Sequence, residues 1–195
     1  MGTIVSLPKP NQDGRLSLER AIASRRSRRD FLSDSLSLEQ ISQLSWAAQG
    51  QDSGSYHRTA PSAGATYPLE LFVVTGDGLF RYLPAEHSLE RLQQQDVRAE
   101  LALAGWGQEF IEAAPLTFVF TAEFSRTTRR YGRRGIRYVY MEAGHAAQNI
   151  HLQAEALGLG SVAVGAFDDA SVSKVLSLPD YLEPIYMVTV GYCRN

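Results

Sequence analysis

Arg25, Arg26, Arg28 and Arg29 stand within five residues, in the stretch Ser24-Arg25-Arg26-Ser27-Arg28-Arg29-Asp30-Phe31. Guanidinium forks bind phosphate bidentately, and two of them offset a terminal phosphate of charge about −2. Where a chain runs extended, alternate residues face one way, so Arg25, Ser27 and Arg29 can converge on one anion while Arg28 faces elsewhere. Taken alone, a basic run of this length is as readily a solvated surface.

Two further stretches could hold a ligand through backbone rather than charge. Arg58-Thr59-Ala60-Pro61-Ser62-Ala63-Gly64-Ala65-Thr66-Tyr67-Pro68 carries no charge after Arg58 and is built of small residues between prolines. Such a backbone can lie flat against a large planar group, or can simply be a tight turn before the next strand. Val164-Gly165-Ala166-Phe167-Asp168-Asp169 joins a strand to a helix, and its small residues leave backbone N–H groups open to an acceptor atom. Glycine at such a joint also serves geometry alone.

Metal and nucleophile chemistry has weaker support. Glu142 and His145 have the i, i+3 spacing of di-iron bundles, and His151 and Glu155 form an i, i+4 pair. No second Glu-x-x-His and no Cys/His zinc pattern accompanies them, so core or interface histidines and no metal are the expectation. Cys193 lacks the spaced His and Asn that would make it a nucleophile. The G-x-S-x-G, Walker A and G-x-G-x-x-G patterns are absent.

The chain that must position these groups has 195 residues, 44% hydrophobic and 21% charged. That fits one domain, residues 1–195, with a real core. The net charge of −2 argues against nucleic-acid or anionic-membrane binding. One cysteine, no signal-like start and no long apolar run place the protein in the cytoplasm, off the membrane. All of the 19 basic residues except Lys9 and Lys174 are arginine. A GC-rich genome accounts for that preference but not for its unevenness: Arg126, Arg129, Arg130, Arg133, Arg134 and Arg137 form a second cluster.

Residues 1–16, with Pro8, Pro10 and Gly14, read as an extended arm. Ser17 caps a short helix to about Arg25 with Leu18, Ala21 and Ile22 on one face. Ser37-Leu38-Glu39-Gln40 is a capping box opening a helix with Leu38, Ile41, Leu44 and Ala48 inward. A loop follows at 50–54. Strands are expected at 69–75 and 79–83, joined as a hairpin by Gly76-Asp77-Gly78, then at 89–92. Asp96 should cap a helix through Ala104, with a shorter one at 108–113. The strand at 116–121 is almost wholly apolar and so central.

The longest periodic segment runs from Gly135 to Leu157, with Ile136, Val139, Tyr140, Ala143, Ala147, Ile150 and Ala154 along one side and Gly158 as its stop. A strand at 160–167, a helix capped by Asp168 through Leu176 and a last strand at 184–191 complete an α+β chain.

These stretches, in this order and spacing, resemble the flavin-binding nitroreductase superfamily, and within it the SagB-type branch. The motifs are Ser17-Leu18-Glu19-x-Ala21-Ile22, Arg25-Arg26-Ser27-x-Arg29-x-Phe31, Ala60-Pro61-Ser62-Ala63-Gly64-Ala65-x-Tyr67-Pro68, Glu142-Ala143-Gly144-His145-x-x-Gln148-Asn149, and Leu157-Gly158-Leu159-Gly160 through Asp169.

The resemblance implies a nitroreductase-like fold, a central and mostly antiparallel sheet flanked by helices, in an interlocked homodimer with two FMN sites at the subunit interface. Arg25, Arg26, Ser27 and Arg29 would hold the phosphate, ribityl chain and pyrimidine edge. Pro61, Ser62, Ala63 and Gly64 of the other subunit would line the ring, and Gly165 and Ala166 would offer N–H groups near N5 and O4. Arg194 matches basic residues that reach the phosphate from the C-terminal end. The implied activity is hydride transfer through flavin N5 from NAD(P)H to a small nitro or quinone-type acceptor.

Two departures bear on chemistry. Ala65 stands where many nitroreductases carry Asn. SagB-type azoline dehydrogenases show a Lys-Tyr pair where this chain has Arg130 and Tyr131. Arginine stays protonated and cannot act as general base, but it can bind an anionic substrate or stabilise developing negative charge. Two alternatives to the reductase are therefore oxidation of a heterocycle in a modified peptide, with Tyr131 as acid–base group, and a flavin-fold scaffold without turnover.

Overall fold

A computed structural model describes residues 2–51, 54 and 56–194. Among these residues seven strands form one sheet in the order β1-β4-β3-β2-β5-β7-β6: β1 (Ile4–Ser6), β2 (Leu69–Thr75), β3 (Gly78–Leu83), β4 (Ser88–Gln93), β5 (Leu116–Ala122), β6 (Gly160–Val164) and β7 (Glu183–Gly191). Every neighbouring pair is antiparallel. Within the stretch read as an arm, Ile4–Ser6 closes one edge of the sheet by pairing with β4.

The central strands are apolar throughout because both faces of the sheet are covered. Side chains alternate between two clusters. Leu69, Leu71, Val73, Leu116, Phe118 and Phe120 face one side. Phe72, Val74 and Val119 face the other. The first side is covered by α2 (Leu38–Gln49) and α6 (Gly135–Ala156), which pack on each other. The second is covered by α3 (Arg98–Ala104), α4 (Glu109–Ala113) and α7 (Asp169–Val175). The remaining helices, α1 (Leu18–Ser24) and α5 (Phe124–Tyr131), both pack on α6.

The expected caps hold at three helices. Ser17 accepts from the Arg20 N–H, Ser37 and Gln40 form the reciprocal capping box, and Asp168 accepts from the Ser171 N–H. At α3 the helix starts later than expected, with Val97 at the cap position. Asp96 instead takes the Arg98 N–H at 3.1 Å and its guanidinium at 2.7 Å, an interaction that side-chain spacing alone did not distinguish from capping.

Other expectations need correction. Strand β6 ends at Val164 rather than 167, because Gly165 and Ala166 turn outward into solvent. On α1, which packs on α6, only Ala21 is buried; Leu18 and Ile22 are 59% and 56% exposed. Likewise Ile136 and Tyr140 of α6 lie outside the core. Helix α5 has no counterpart among the expected elements: six of its eight residues are Arg, Thr or Ser, so the apolar period that marks a helix is nearly missing, and its hold comes from Phe124 and the buried Thr127. Of the expected loop at 50–54, Asp52 and Ser53 lie outside the described residues. Among the described residues no helix is long and apolar enough to cross a membrane.

Candidate functional site

The arginine stretch lies along the free edge of β6. Ser27 forms a single parallel bridge to Ser161, and the Arg28 N–H donates to the Ser161 carbonyl at 3.0 Å. This extended path starts at Arg25, which caps the C-terminal end of α1. Arg26, Ser27, Arg28 and Arg29 are exposed and Arg25 half-buried. Arg28 turns toward Glu155 at 3.8 Å, as the alternation predicts, and Arg29 stacks over the Phe110 ring at 5.5 Å. Arg26 folds back on the Ala23 and Arg25 carbonyls, so it does not share the direction of its neighbours. Among the described residues no carboxylate pairs with Arg25, Arg26 or Arg29.

Beneath this stretch sits a buried histidine, as the spacing on α6 leads one to expect. His151 is 8% exposed, and its Nδ1 lies 2.7 Å from the Ser161 hydroxyl. Burial, reinforced by the nearby Arg25, pushes the imidazole down to about 4, so it is neutral at ordinary pH.

The loop at 61–64 is placed elsewhere, against α5 and the first half of α6. Gly64, Ala65 and Tyr67 all adopt left-handed backbone, with φ of 59°, 53° and 43°. For a non-glycine residue that conformation costs about 1 kcal/mol or more, a strain typical of ligand-clamping segments. The loop is tied down at several points. The Tyr67 N–H donates to Ser62 Oγ at 2.9 Å, and Thr66 and Thr127 share a hydroxyl hydrogen bond of 2.8 Å. Arg130 donates to the Gly64 carbonyl at 3.2 Å. A Cβ on Gly64 would lie 2.6 Å from the Tyr131 hydroxyl and 2.8 Å from Arg130 Nη1. Arg130 and Tyr131 therefore meet this loop as closely as a glycine permits.

Glu142 is the buried charge at this site. It is 2% exposed, lies on the inward stripe of α6 facing Ser62, and leaves Oε1 without a partner among the described residues. Burial raises its carboxyl to about 7 against the opposing effects of Ser62 and Arg58. Arg58 reaches Gln49 at 2.7 Å and stacks over the Tyr67 ring at 4.8 Å, and burial draws its own pKa down. The signal for Glu142 was present in the sequence: a carboxylate in the same stripe as Val139, Ala143, Ala146 and Ile150.

Gly165 and Ala166 lie exposed beyond β6. A Cβ at Gly165 would meet only the Tyr186 ring, at 3.7 Å, so the space above it is open. Gln108 braces the turn by donating to the Ala166 carbonyl at 2.9 Å, a contact that no sequence pattern announced. Arg194 is exposed beside the arginine stretch, its N–H donating to the Asp30 carbonyl at 3.2 Å.

A single chain does not bring all of these together. His151 under the arginines and Glu142 under the loop are nine residues apart on α6, about 13 Å along its axis. A groove of about 830 Å³ between the arm, α1, α2 and α6 is lined by none of the predicted cofactor residues. The parts do suit a flavin phosphate and ring: unpaired guanidiniums on one side, a flat uncharged loop on another, and an open glycine turn.

The same conclusion about kinship comes from comparison with known proteins. The model of the Nitroreductase family matches residues 22–192. A protein of Methanocaldococcus jannaschii with a provisional nitroreductase name is 42% identical over 197 residues, covering 98% of each chain. The microcin B17-processing protein McbC of Escherichia coli is 29% identical over 143 residues, covering 68% of this chain and 53% of its own. A crystal structure from Ralstonia eutropha, also provisionally named a nitroreductase, superposes with a TM-score of 0.88 at 31% identity, over 98% of this chain and 90% of that one.

Proposed function

The chain belongs to the nitroreductase family, and on that premise we propose that it is an FMN-dependent oxidoreductase, acting as a cytoplasmic homodimer that moves hydride from NAD(P)H to a nitro or quinone-type acceptor. The observation that carries this reading is the division of the site: unpaired arginines at the edge of β6 over His151, and a strained, uncharged loop over Glu142, two α6 residues about 13 Å apart along the helix axis. A second copy supplies the loop that each arginine stretch lacks. Leu18, Ile22, Ile136, Tyr140 and Met141, all exposed, are the apolar surface such a pairing would cover.

Bound FMN would supply the hydride chemistry at N5. In this assignment Arg25, Arg26, Ser27 and Arg29 grip the phosphate, ribityl chain and pyrimidine edge, with Arg194 adding charge from the C-terminal side. Pro61, Ser62, Ala63 and Gly64 line the ring, and Gly165 and Ala166 present backbone N–H groups. On the substrate side Arg130, permanently charged and anchored on the Gly64 carbonyl, stabilises negative charge that develops on an acceptor. Tyr131, with its hydroxyl at the same glycine, can hand over a proton.

Anaerobic addition of NAD(P)H to the flavin-loaded protein is the test. The flavin band should bleach and return on adding a quinone. A band that stays unchanged, or a protein that takes up no FMN at all, overturns the reading, the second outcome favouring a scaffold.

A second reading, heterocycle oxidation in a modified peptide, is favoured by the likeness to McbC and by the position of Tyr131 against the loop. Arg130 lacks the proton-accepting capacity of the lysine that SagB-type dehydrogenases carry. Arg130→Lys should then bring measurable azoline oxidation to a protein without it; activity already present in the parent would make Tyr131 the base.

A further inference from the structure

The corner between α5 and α6 carries positive charge that, Arg130 apart, the flavin site does not use. Arg129, Arg130, Arg133, Arg134 and Arg137, five guanidinium groups within nine residues, are all exposed, and none forms an ion pair with a carboxylate among the described residues. Arg126, by contrast, is consumed by Glu70 and Glu123. Like charges so close repel, and in a chain of net charge −2 nothing in the overall balance calls for them.

The corner is also built to hold its shape. Gly135 packs onto the Thr127–Thr128 backbone, where a Cβ would come within 3.1 Å. Tyr131 and Tyr138 meet edge to face at 5.2 Å. Arg130 leans on the Tyr131 ring at 5.5 Å and Arg134 on the Tyr138 ring at 6.0 Å. Arginines braced on aromatic faces lose less freedom on meeting a ligand than free surface arginines do. One of the five, Arg130, is bonded to Gly64 of the ring-lining loop, so this cationic corner stands at the mouth of the candidate active site.

We propose that the α5–α6 corner is a docking site for a small polyanionic substrate, with Arg133, Arg134 and Arg137 binding its phosphate or carboxylate groups while Arg130 holds its reacting end beside Gly64. This names a substrate class for the site proposed above and rests on that reading. The compactness of the cluster, one helix end, a short turn and one helix start, suits a small molecule rather than an extended chain. Two substrates of the reaction could carry such charge, a phosphorylated nicotinamide donor or an anionic acceptor.

Calorimetric titration of tripolyphosphate into FMN-loaded protein tests the corner directly, because the flavin phosphate then occupies the Arg25–Arg29 stretch. The expected result is saturable binding that weakens at least about tenfold in Arg133→Glu/Arg134→Glu, and steeply with salt. Stopped-flow flavin reduction then separates the sources: loss of a preference for NADPH over NADH in that variant assigns the donor, and loss of a preference for a sulfonated over a neutral quinone assigns the acceptor.

Absent binding, or equal binding by parent and variant, overturns the proposal. So does a variant that falls to monomers in sedimentation yet keeps its tripolyphosphate affinity, since the corner is then a subunit contact. If the protein takes up no FMN, the same titration in an Arg25→Ala/Arg29→Ala background still tests the corner, so failure of the flavin reading and failure of this one are told apart.

Discussion

Glu142, 2% exposed on the buried stripe of α6, faces Ser62 of the strained loop at 61–64. A titrating group thereby sits directly under the surface proposed to face the flavin, and pH should act on stability through it.

In the unfolded chain Glu142 ionises near its ordinary 4.5, but in the folded protein only at about 7. The folded state therefore holds the extra proton between those values, and this contribution is full below 4.5 and lost as pH rises through 7, on the order of 3 kcal/mol. His151 runs the other way. Its folded value of about 4 lies below the ordinary 6.5, so its contribution is full above 6.5 and lost on acidification toward 4, with similar size. The two nearly cancel in the parent between pH 4.5 and 6.5. Glu142→Gln should uncover a steep loss of stability on acidification, and His151→Asn a gain, both read from denaturant unfolding across that range. Identical pH profiles in parent and variants would refute the assignment of both groups.

Gly64→Ala places a methyl group against Tyr131 and Arg130 in a backbone with φ of 59°. Both neighbours are side-chain tips and can withdraw, so the expected loss is about 1–2 kcal/mol in unfolding free energy. Arg130→Ala added to Gly64→Ala should recover part of that loss, leaving the conformational share. Full additivity of the two losses would show that the glycine and the arginine do not press on one another.

Arg25→Ala/Arg29→Ala removes two charged donors from the proposed phosphate grip. Each charge-assisted hydrogen bond contributes about 1.5–3 kcal/mol, so FMN affinity measured by fluorescence quenching should fall about hundredfold or more. Riboflavin, which keeps the ribityl chain and ring but lacks the phosphate, should lose much less affinity in the variant than FMN does. An unchanged FMN affinity rejects the grip.

Ile22 and Tyr140 are 56% and 53% exposed apolar side chains on α1 and α6. Ile22→Glu/Tyr140→Glu should convert a dimer to monomers in sedimentation velocity and release FMN in the same step, because a site divided between copies cannot outlive the pairing. Monomers that retain FMN would place the whole site within one chain.

Much of the architecture was legible in residue order. Strands β2, β5 and β7 announce themselves by β-branched and aromatic runs, and Ser17, Ser37 and Asp168 mark helix starts because a side-chain oxygen there meets a free N–H one turn on. These are local effects, decided by neighbours along the chain. The arginine stretch, the small-residue loop and the Gly165–Ala166 turn were legible for the same reason, since their chemistry lies in residue type. Helix α5 was not, because Thr127 and Phe124 hold it by contacts with residues far away in sequence.

What only the tertiary structure decided is where charges lie relative to water and to one another. The sequence places Glu142 and His151 on one helix. Burial under Ser62 makes the first a carboxyl that titrates near neutrality, and burial beside Ser161 and Arg25 makes the second a neutral imidazole. Desolvation depends on every chain segment that excludes solvent from a group, so no window of sequence contains it. That the arginines lie over His151 and the loop over Glu142, well separated along α6, is likewise a property of the folded chain, and it is the reason to look for the other half of the site on a second copy.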